Sequence, residues 1–313
     1  MASMIVVAGE ALIDLLVHTD GRLQAVPGGG PFNTARTIGR LGEAVAYLGC
    51  LSTDRFGVIL RDALRRDGVY LSLAGTTEAP TTLAIAELGE HGAATYRFHA
   101  AETSAPGLTE AAVTAAFATR PLAIHVGTLG LVLEPMASAL AAGVAGADAE
   151  TLVMVDPNCR PRIVGDRATY LYRLGAVLSR ADVVKVSADD LDFLAPESGV
   201  VEAARGLLGR GPAVALLTDG GRAVVVLTRL ETFEIAVPSV EVADTVGAGD
   251  AFGGAFLARW TERGLGRPEL GDPVALRDAA AFAVEVATLT CSRPGADPPR
   301  RAELRPPFDR RFG

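Results

Sequence analysis

Short apolar runs alternate along the chain with longer amphipathic stretches. The apolar runs, rich in Val, Ile and Leu, predict strands buried on both faces. They cover residues 4–8, 45–50, 122–126, 151–155, 182–186 and 213–218. The predicted helices cover residues 32–41, 55–67, 110–118, 135–144, 167–179, 201–208, 250–263 and 273–289. This alternation predicts an α/β fold with a mainly parallel central sheet and helices on both faces.

Two regions do not fit the strand–helix repeat. Residues 10–24 continue past the first strand into a TDG turn, and residues 81–99 alternate around a glycine-containing loop, as a hairpin does. Strands of this kind are expected to form a small β lid outside the main sheet. A second hairpin is predicted at 223–237, and the Pro- and Arg-rich tail from about Arg293 is expected to be irregular and to lie on the surface. Because no linker or repeat interrupts the chain, residues 1–313 are expected to form one domain.

Composition excludes several classes of protein. The 313 residues contain no apolar stretch long enough to cross a membrane, and the N-terminus resembles a first strand more than a signal peptide. The net charge is −8 and no basic stripe is present, so a nucleic-acid partner is not expected. Three scattered cysteines, Cys50, Cys159 and Cys291, favour a reducing cytoplasm over a disulfide or zinc framework.

The most specific motif is DTVGAGDAFGG at residues 244–254, a glycine-rich turn that leads into an apolar helix. Free N–H groups at the start of such a helix can bind an anion, and small residues let a phosphate approach the backbone. Asp250 falls in the first turn of this helix. Beside an anion site, a carboxylate suits a base that takes a proton from the group attacking the phosphate. The alternative is that Asp250 only complements the helix dipole.

A second glycine-rich stretch reads VPGGGPFN at residues 26–33. Consecutive glycines bring the backbone close to a ligand, and Pro31 suits a helix start. The amide of Asn33 can donate to and accept from sugar hydroxyls, although a plain connection with a polar helix start is also consistent. Neither glycine stretch is a dinucleotide fingerprint, and no GxxxxGK[ST] loop occurs, so phosphates would bind without a Walker lysine.

Three predicted strands end in polar residues, at the edge where parallel sheets bind ligands. In DPNCRP, Arg160 can contact a hydroxyl, carboxylate or phosphate, or lie in solvent. In VKVSADD, Ser187 is a helix N-cap with Asp190 as its capping-box partner, and Asp190 at this place could also hold Mg²⁺ through water. The LTDGG turn at 217–221 could bring backbone to a nucleotide.

Lysine and histidine are both scarce. Lys185 is the one lysine among 29 basic residues. A coding bias towards arginine explains the imbalance, but under that bias the retained lysine suggests a place where a planar guanidinium would not serve. The four histidines show no metal or Ser/His/Asp spacing, and His125, in an apolar strand, is expected to be a core residue with bonded nitrogens.

Together these motifs resemble the PfkB family of carbohydrate kinases, which have the ribokinase-like fold. The resemblance spans residues 4–296 and rests on the Gly28-Gly29 region with its helix and on DTVGAGDAF at 244–252, in that order. The stretches GEALIDLL, YRFHAAETSA and DPNCRP are similar to the fructokinase-like branch. The resemblance implies an ATP-dependent transferase that phosphorylates a primary hydroxyl of a small sugar, with fructose as the expected sugar.

The same resemblance implies a role for each matching residue. Asp250 would be the catalytic base, and the backbone of Gly247, Ala248 and Gly249 would form the anion hole for the γ-phosphoryl group. The sugar would contact Asp14, Gly28, Gly29, Asn33 and Asp250, with Arg97 and Arg160 holding it or closing over it. ATP would lie along Lys185, Ser187, Thr218, Gly220, Gly221, Gly247 and Gly249, with Val284 near the adenine. The segments 10–24 and 81–99 would form the lid and join a homodimer.

The sequence departs from the family pattern in two places. The usual NxxE motif, associated with Mg²⁺, reads Ser187-Ala188-Asp189-Asp190, and the usual TxGxxG reads TDGGRA from Thr218. An Asp is shorter than a Glu but still reaches a metal through water, so Asp190 is the expected Mg²⁺ residue. Some family members bind a monovalent cation such as K⁺, and Asp244 and Thr245 fall in that region.

Two other functions are compatible with these motifs. A kinase for 2-keto-3-deoxygluconate could use Arg97 and Arg160 for the sugar-acid carboxylate, and kinases for ribose or nucleosides fit less well. A non-catalytic sugar sensor is disfavoured because Asp250 and its glycine turn are intact. A nicotinamide dehydrogenase is excluded by the missing fingerprint.

Overall fold

The computed structural model describes residues 4–88 and 94–304, and these residues form fourteen strands and nine α-helices. The strands are β1 Ile5–Ala8, β2 Leu12–Val17, β3 Leu23–Gly28, β4 Val45–Leu48, β5 Cys50–Ser52, β6 Gly75–Thr77, β7 Leu83–Leu88, β8 Ala94–His99, β9 Ala123–Gly127, β10 Leu152–Asp156, β11 Val183–Ser187, β12 Val214–Thr218, β13 Val224–Thr228 and β14 Thr232–Ile235. The helices are α1 Gly30–Arg40, α2 Arg55–Arg66, α3 Glu110–Phe117, α4 Met136–Ala145, α5 Arg167–Leu178, α6 Ala188–Leu194, α7 Val200–Leu208, α8 Ala248–Glu262 and α9 Pro273–Cys291.

Eight strands form the main sheet, in the order β14-β13-β12-β11-β10-β9-β1-β4. The six strands from β12 to β4 are parallel, and β13 and β14 are antiparallel additions that form the predicted second hairpin. Side chains alternate across the sheet: Val7 faces the layer of α1, α2, α8 and α9, whereas Val6 faces the layer of α3, α4, α5 and α7. The predicted mainly parallel sheet with helices on both faces is confirmed.

The two regions outside the repeat form a separate four-stranded sheet, in the order β3-β2-β7-β8. Residues 10–24 supply β2 and the start of β3, and residues 81–99 supply β7 and β8, whose connecting loop lies outside the described residues. One further pair, β5 with β6, was not predicted because residues 45–50 resemble a single strand. The strand breaks at Gly49, where a Cβ atom would lie 2.4 Å from Tyr47 Oη and 2.5 Å from the carbonyl oxygen of Gly9.

The expectation of a surface-lying tail is wrong for residues 293–304. Ala296 and Leu304 are buried, and the carbonyl oxygen of Ala296 accepts a hydrogen bond of 3.1 Å from Arg36 in α1. The buried carboxylate of Asp67, at the end of α2, anchors the segment through an ion pair with Arg300 at 3.2 Å. The same carboxylate pairs with Arg36 and Arg40 of α1 at 2.7 and 2.9 Å. Proline and arginine content suggested a solvated tail, whereas tertiary ion pairs bring the segment onto α1.

Among the helices within residues 4–88 and 94–304, none has both the length and the apolar character that crossing a bilayer requires.

The charge cluster around Asp67 generates a stability prediction. Asp67→Asn removes the carboxylate from three arginines while Asp67 is only 3% exposed, so we expect the free energy of unfolding to fall by about 3 kcal/mol. Urea denaturation measures this change. The matched control is Asp62→Asn on the same helix, whose exposed pair with Arg65 spans 3.9 Å and whose loss should leave the midpoint unchanged. Equal midpoints for the two variants would contradict the role given to Asp67.

Candidate active site

A cleft of about 1290 Å³ opens between the carboxyl ends of the main-sheet strands and the four-stranded sheet. Thr128, Asn158, Ser187 and Thr218 line it from the ends of β9, β10, β11 and β12. Ligands of parallel sheets bind at this edge because the loops after successive strands converge there. The volume exceeds the range of roughly 300–1,000 Å³ that is usual for one small ligand, so the cleft suits two substrates side by side.

The glycine turn before α8 forms one wall of the cleft. Gly247 is the N-cap of α8 with φ at 76°, in the left-handed region that favours glycine. A Cβ atom on Gly247 would also lie 2.5 Å from Cβ of Ala296, and one on Gly249 would lie 2.8 Å from Nζ of Lys185. Because neither glycine carries a side chain, the N–H groups of the first turn of α8 are accessible to an anion in the cleft.

Asp250 is the third residue of α8 and is 9% exposed. Asn33 Nδ2 donates to its Oδ2 at 2.9 Å, and Asn158 Nδ2 donates to its Oδ1 at 3.4 Å. Burial raises the pKa of Asp250, while the hydrogen bond from Asn33 and the charges of Lys185 and Arg160 act in the opposite direction. The carboxylate is therefore poised as a proton acceptor in the cleft, not directed to solvent as a helix-dipole partner would be.

The predicted sugar-binding residues converge at one end of the cleft. Asn33 lies in the first turn of α1 and Asp14 lies on β2, and both line the cleft together with Gly29. Gly28 lies behind Asp14, because a Cβ atom at Gly28 would be 2.0 Å from Asp14 Oδ2. Burial raises the pKa of Asp14 to about 6, against the lowering effect of Arg160.

Arg97 does not join this group. Its side chain lies on the outer face of β8, where it is 68% exposed and pairs with Glu87 at 3.5 Å. Successive residues of a strand point to opposite faces, so Tyr96 and Phe98 are the β8 residues that line the cleft. Of the two arginines expected at the substrate, the structure places only Arg160 there. The alternation within TYRFH was the signal that would have identified the aromatic pair.

Lys185 lies beneath the glycine turn. It is 3% exposed, and its Nζ donates to Asp156 Oδ2 at 3.0 Å. Burial acts to lower the pKa of Lys185, but the negative charges of Asp156, Asp190 and Asp250 act more strongly in the opposite direction. The pKa of Lys185 is therefore raised, and its ammonium group stays charged. Burial likewise raises the pKa of Asp156 to about 7, less than it would without Lys185.

Asp190 is engaged as a cap. Its Oδ2 accepts from the N–H and the hydroxyl of Ser187 at 2.8 and 2.7 Å, and its Oδ1 accepts from the N–H of Cys159 at 2.6 Å. Asp190 is buried and does not line the cleft, so the predicted capping box is present and its oxygens are not directed to a metal. Across residues 4–88 and 94–304, no three His, Cys, Asp or Glu side chains group as metal ligands.

Asp244, in the region expected for a monovalent cation, also has both carboxylate oxygens engaged. Oδ1 accepts from the N–H of Val246 at 3.0 Å, and Oδ2 accepts from the N–H of Gly295 at 2.9 Å. The carboxylate therefore joins the glycine turn to the C-terminal segment. Thr245 lines the cleft next to it.

Glu10 is a residue of the site that the sequence analysis did not select. Directly after β1, it is fully buried, and its two oxygens accept from the N–H groups of Gly30 and Gly130, each at 3.1 Å. Burial raises its pKa to about 8. An acidic residue directly after a buried strand was the available signal.

His125 is a core residue, as expected, but its ring is not satisfied. Both ring nitrogens are buried and without a hydrogen-bond partner in the described structure, and burial lowers the pKa to about 3. The imidazole therefore stays neutral beneath α8, near Gly253.

The other end of the cleft is apolar. The predicted nucleotide residues Ser187, Thr218, Gly220, Gly221 and Val284 all line it. They are joined there by residues that the sequence analysis did not select, Val224, Val237, Val240, Val242, Ala287 and Thr288. These residues come from three elements, β13, the segment after β14 and α9. An apolar wall next to an anion turn suits a flat base with attached phosphates.

Similarity to known proteins agrees with this geometry. Residues 2–302 match the pfkB family of carbohydrate kinases. The chain is 33% identical over 319 residues to fructokinase-1 of Oryza sativa subsp. japonica, covering 97% of this chain and 96% of that protein. It is 32% identical to a fructokinase of Rhizobium leguminosarum bv. trifolii, covering 82% and 79%. The crystal structure of a Xylella fastidiosa fructokinase with bound ATP superposes with a TM-score of 0.86 at 29% identity, covering 94% and 93%.

The chain belongs to the PfkB family of carbohydrate kinases and has the ribokinase-like fold. It is an ATP-dependent sugar kinase, and the predicted likeness to the fructokinase-like branch is confirmed by these relatives.

The tight contact between Lys185 and Gly249 generates a prediction about ATP. Lys185→Arg inserts a larger, planar cation where Nζ already lies 2.8 Å from the Cβ position of Gly249, so the glycine turn must shift. We expect KM for ATP to rise about tenfold or more, the equivalent of one weakened charged hydrogen bond. Steady-state kinetics with each substrate varied in turn measures this. KM for the sugar should stay within about twofold, and an unchanged KM for ATP would remove Lys185 from the nucleotide site.

Proposed function

We propose that this kinase transfers the γ-phosphoryl group of ATP to a primary hydroxyl of fructose, with Asp250 as the catalytic base. The observation that carries the proposal is the position of Asp250. Its buried carboxylate lies in the first turn of α8, beside the glycine turn, and between the sugar-binding and apolar ends of one cleft. That is where a hydroxyl and a γ-phosphate would meet.

The chemistry follows from this arrangement. Asp250 takes the proton from the sugar hydroxyl, whose oxygen attacks the γ-phosphorus as the bond to the bridging oxygen of ADP breaks. The N–H groups of Gly247, Ala248 and Gly249 stabilise the negative charge on the transferring group. The ammonium group of Lys185, directly beneath Gly249, adds a buried positive charge to this anion hole.

A neutral sugar is favoured over a sugar acid. Arg97 is directed away from the cleft, and Arg160 Nη1 already donates to Asn158 Oδ1 and to the carbonyl oxygens of Asn158 and Cys159. A carboxylate-bearing substrate would have to compete with these bonds or use Arg162, which also lines the cleft. The relatives named fructokinase support the same choice.

We further propose that residues 1–313 form one domain in which the four-stranded sheet acts as a lid. Leu12, Asp14, Tyr96 and Phe98 face the cleft from this sheet, so its closure would exclude water from the phosphate. Its edge strand β3 exposes Leu23, at 65%, which suits a homodimer joined through the lid. Three free cysteines favour a reducing cytoplasm.

Magnesium is proposed to arrive with ATP. Mg²⁺ keeps most of its waters and binds phosphate oxygens, so it does not require a protein cage. The engaged oxygens of Asp190 do not fit the water-mediated contact predicted from the sequence. A monovalent cation near Asp244 and Thr245 stays a prediction.

A substrate panel tests the proposed function. We expect Mg²⁺-dependent ADP release with D-fructose that exceeds the release with 2-keto-3-deoxygluconate, D-ribose, adenosine or no sugar. Faster turnover of the sugar acid would transfer the assignment to a 2-keto-3-deoxygluconate kinase with Arg160 or Arg162 at the carboxylate. Sugar binding by calorimetry without turnover of any sugar would instead indicate a sensor.

Asp250→Asn tests the base. The amide keeps the size of the side chain but cannot accept the proton, so we expect kcat to fall by about 10²–10⁴-fold. ATP and fructose should still bind with affinities close to those of the parent, as measured by calorimetry. Turnover close to that of the parent would show that another group takes the proton.

A further inference from the structure

Both asparagines of the chain reach the same carboxylate. The sequence contains two, Asn33 and Asn158, and they lie 125 positions apart. Asn33 Nδ2 donates to Asp250 Oδ2 at 2.9 Å, and Asn158 Nδ2 donates to Asp250 Oδ1 at 3.4 Å. Asn33 is accounted for as a sugar-binding residue, but Asn158 has no role in the proposed function.

The orientation of the Asn158 amide is determined by its other partners. Arg160 Nη1 donates to Asn158 Oδ1 at 2.6 Å, so Oδ1 is the acceptor end of the amide. Nδ2 must then face Thr128 Oγ1, at 3.2 Å, and Asp250. Turning the amide over would set its NH₂ group against a guanidinium and its oxygen against a carboxylate.

The backbone places Asn158 at a sterically costly position. Asn158 has φ at 38° and Thr128 has φ at 50°, at the ends of the neighbouring strands β10 and β9. Asn tolerates the left-handed region, whereas a β-branched Thr is a true outlier there. Such conformations persist where the surroundings determine them, and they cluster at functional sites.

The space around this contact is closed. A Cβ atom on Gly30 would lie 2.3 Å from Thr128 Oγ1 and 3.3 Å from both Asn158 Nδ2 and Asp250 Oδ1. The start of α1 therefore packs directly against the three side chains. Asn158 has little freedom to leave Asp250 unless α1 moves.

The charges facing Asp250 are unbalanced. Lys185 from β11 and Arg160 from the loop after β10 favour its ionised form. Three further acidic groups, those of Glu10, Asp14 and Asp156, lie close enough for the charge of Asp250 to raise their pKa values. Burial also disfavours the anion, and the two cations are shared with other acidic groups. A neutral hydrogen-bond donor on each oxygen of Asp250 therefore adds stabilisation that the cations alone do not supply.

We propose that Asn158 is a positioning residue for the catalytic base: its amide, oriented by Arg160 and Thr128, holds the carboxylate of Asp250 in place and in its ionised form. This inference rests on the proposed function, in which Asp250 accepts the proton of the sugar hydroxyl. The amides of Asn33 and Asn158 each engage a different oxygen of Asp250, and together they restrain rotation of the carboxylate.

Asn158→Asp is the decisive variant. Asp tolerates the same left-handed backbone and has the same shape, but it replaces the donor facing Asp250 with a carboxylate. Arg160 keeps the new carboxylate ionised through the oxygen it already contacts, so a like charge faces Asp250. We expect the acid limb of kcat/KM for the sugar to move up by about one pH unit or more, because the neighbouring charge disfavours ionisation. Activity at pH 6.5 should fall about tenfold or more, recover towards pH 9, and leave KM for ATP within about twofold.

Two further variants serve as controls. Leu230→Asp adds the same charge at a side chain that is 91% exposed in the β13–β14 turn, and its pH profile should match the parent. Asn158→Gly keeps the left-handed backbone and removes the amide, so kcat should fall with a smaller shift of the acid limb. A parental acid limb in Asn158→Asp, or a parental kcat in Asn158→Gly, would overturn the proposal.

A measurement without turnover separates this proposal from the proposed function. Infrared difference spectra of the parent minus Asp250→Asn isolate the carboxylate band of Asp250, and the same pair can be made in the Asn158→Asp background. Circular dichroism confirms that each variant is folded. We expect the Asp250 band to titrate at a higher pH in the Asn158→Asp background, and coincident titrations would refute the role of Asn158. If the parent phosphorylates no sugar, the proposed function fails, while the infrared result still decides whether Asn158 holds Asp250.

Discussion

The structure depends on one buried carboxylate, that of Asp250, which the protein has to stabilise beside the glycine turn at the start of α8. Asp250 lies in the first turn of α8, where the N–H groups favour negative charge, and its own charge raises the pKa values of Glu10, Asp14 and Asp156. Asp250 is only 9% exposed, so water solvates little of the carboxylate and the protein must supply the rest of its stabilisation. It does so with amide donors on both oxygens and with Lys185 beneath the turn. The buried polar groups around the cleft are arranged to meet this electrostatic requirement.

Close packing of α1 against α8 holds Asp250 next to the residues of α1 that contact it. Gly254 of α8 faces α1, since a Cβ atom there would lie 2.9 Å from the carbonyl oxygen of Thr34 and 3.0 Å from Cβ of Thr37. At this separation, Thr34 Oγ1 donates to the carbonyl oxygen of Asp250 at 3.3 Å. The first turns of α1 and α8 are thereby joined. The predicted sugar-binding residues of α1 and the glycine turn of α8 are therefore packed directly against each other.

The C-terminal segment extends this unit. Gly295 and Ala296 lie against the glycine turn, and Arg36 and Arg40 of α1 bind the segment through the charge cluster around Asp67. By contrast, the four-stranded sheet contributes Asp14 and two aromatic residues from outside the main sheet. The four-stranded sheet is therefore attached to the cleft separately from the glycine turn, as the proposed lid would require.

Local pattern alone determined much of this protein. Continuous apolar runs identified the buried parallel strands, and Gly-Ala-Gly before an apolar run identified the glycine turn that starts α8, because both depend on interactions within a few residues. The same holds for Ser187 and Asp190, whose capping box is a local structure. Composition and motif do not state which way a side chain points: Arg97 lies outside the cleft lining and Asp190 is buried as a cap.

Tertiary structure decided what depends on distant segments. Asn158 reaches Asp250 only because β10 ends next to the start of α8, Glu10 is buried only because Gly30 and Gly130 meet it, and the valines of the apolar wall come from three separate segments. The C-terminal segment is anchored by Asp67, more than 200 residues earlier. A sequence specifies which groups are present, and the fold determines which of them share a desolvated cleft. The charge state and partners of Asp250 follow from that shared burial.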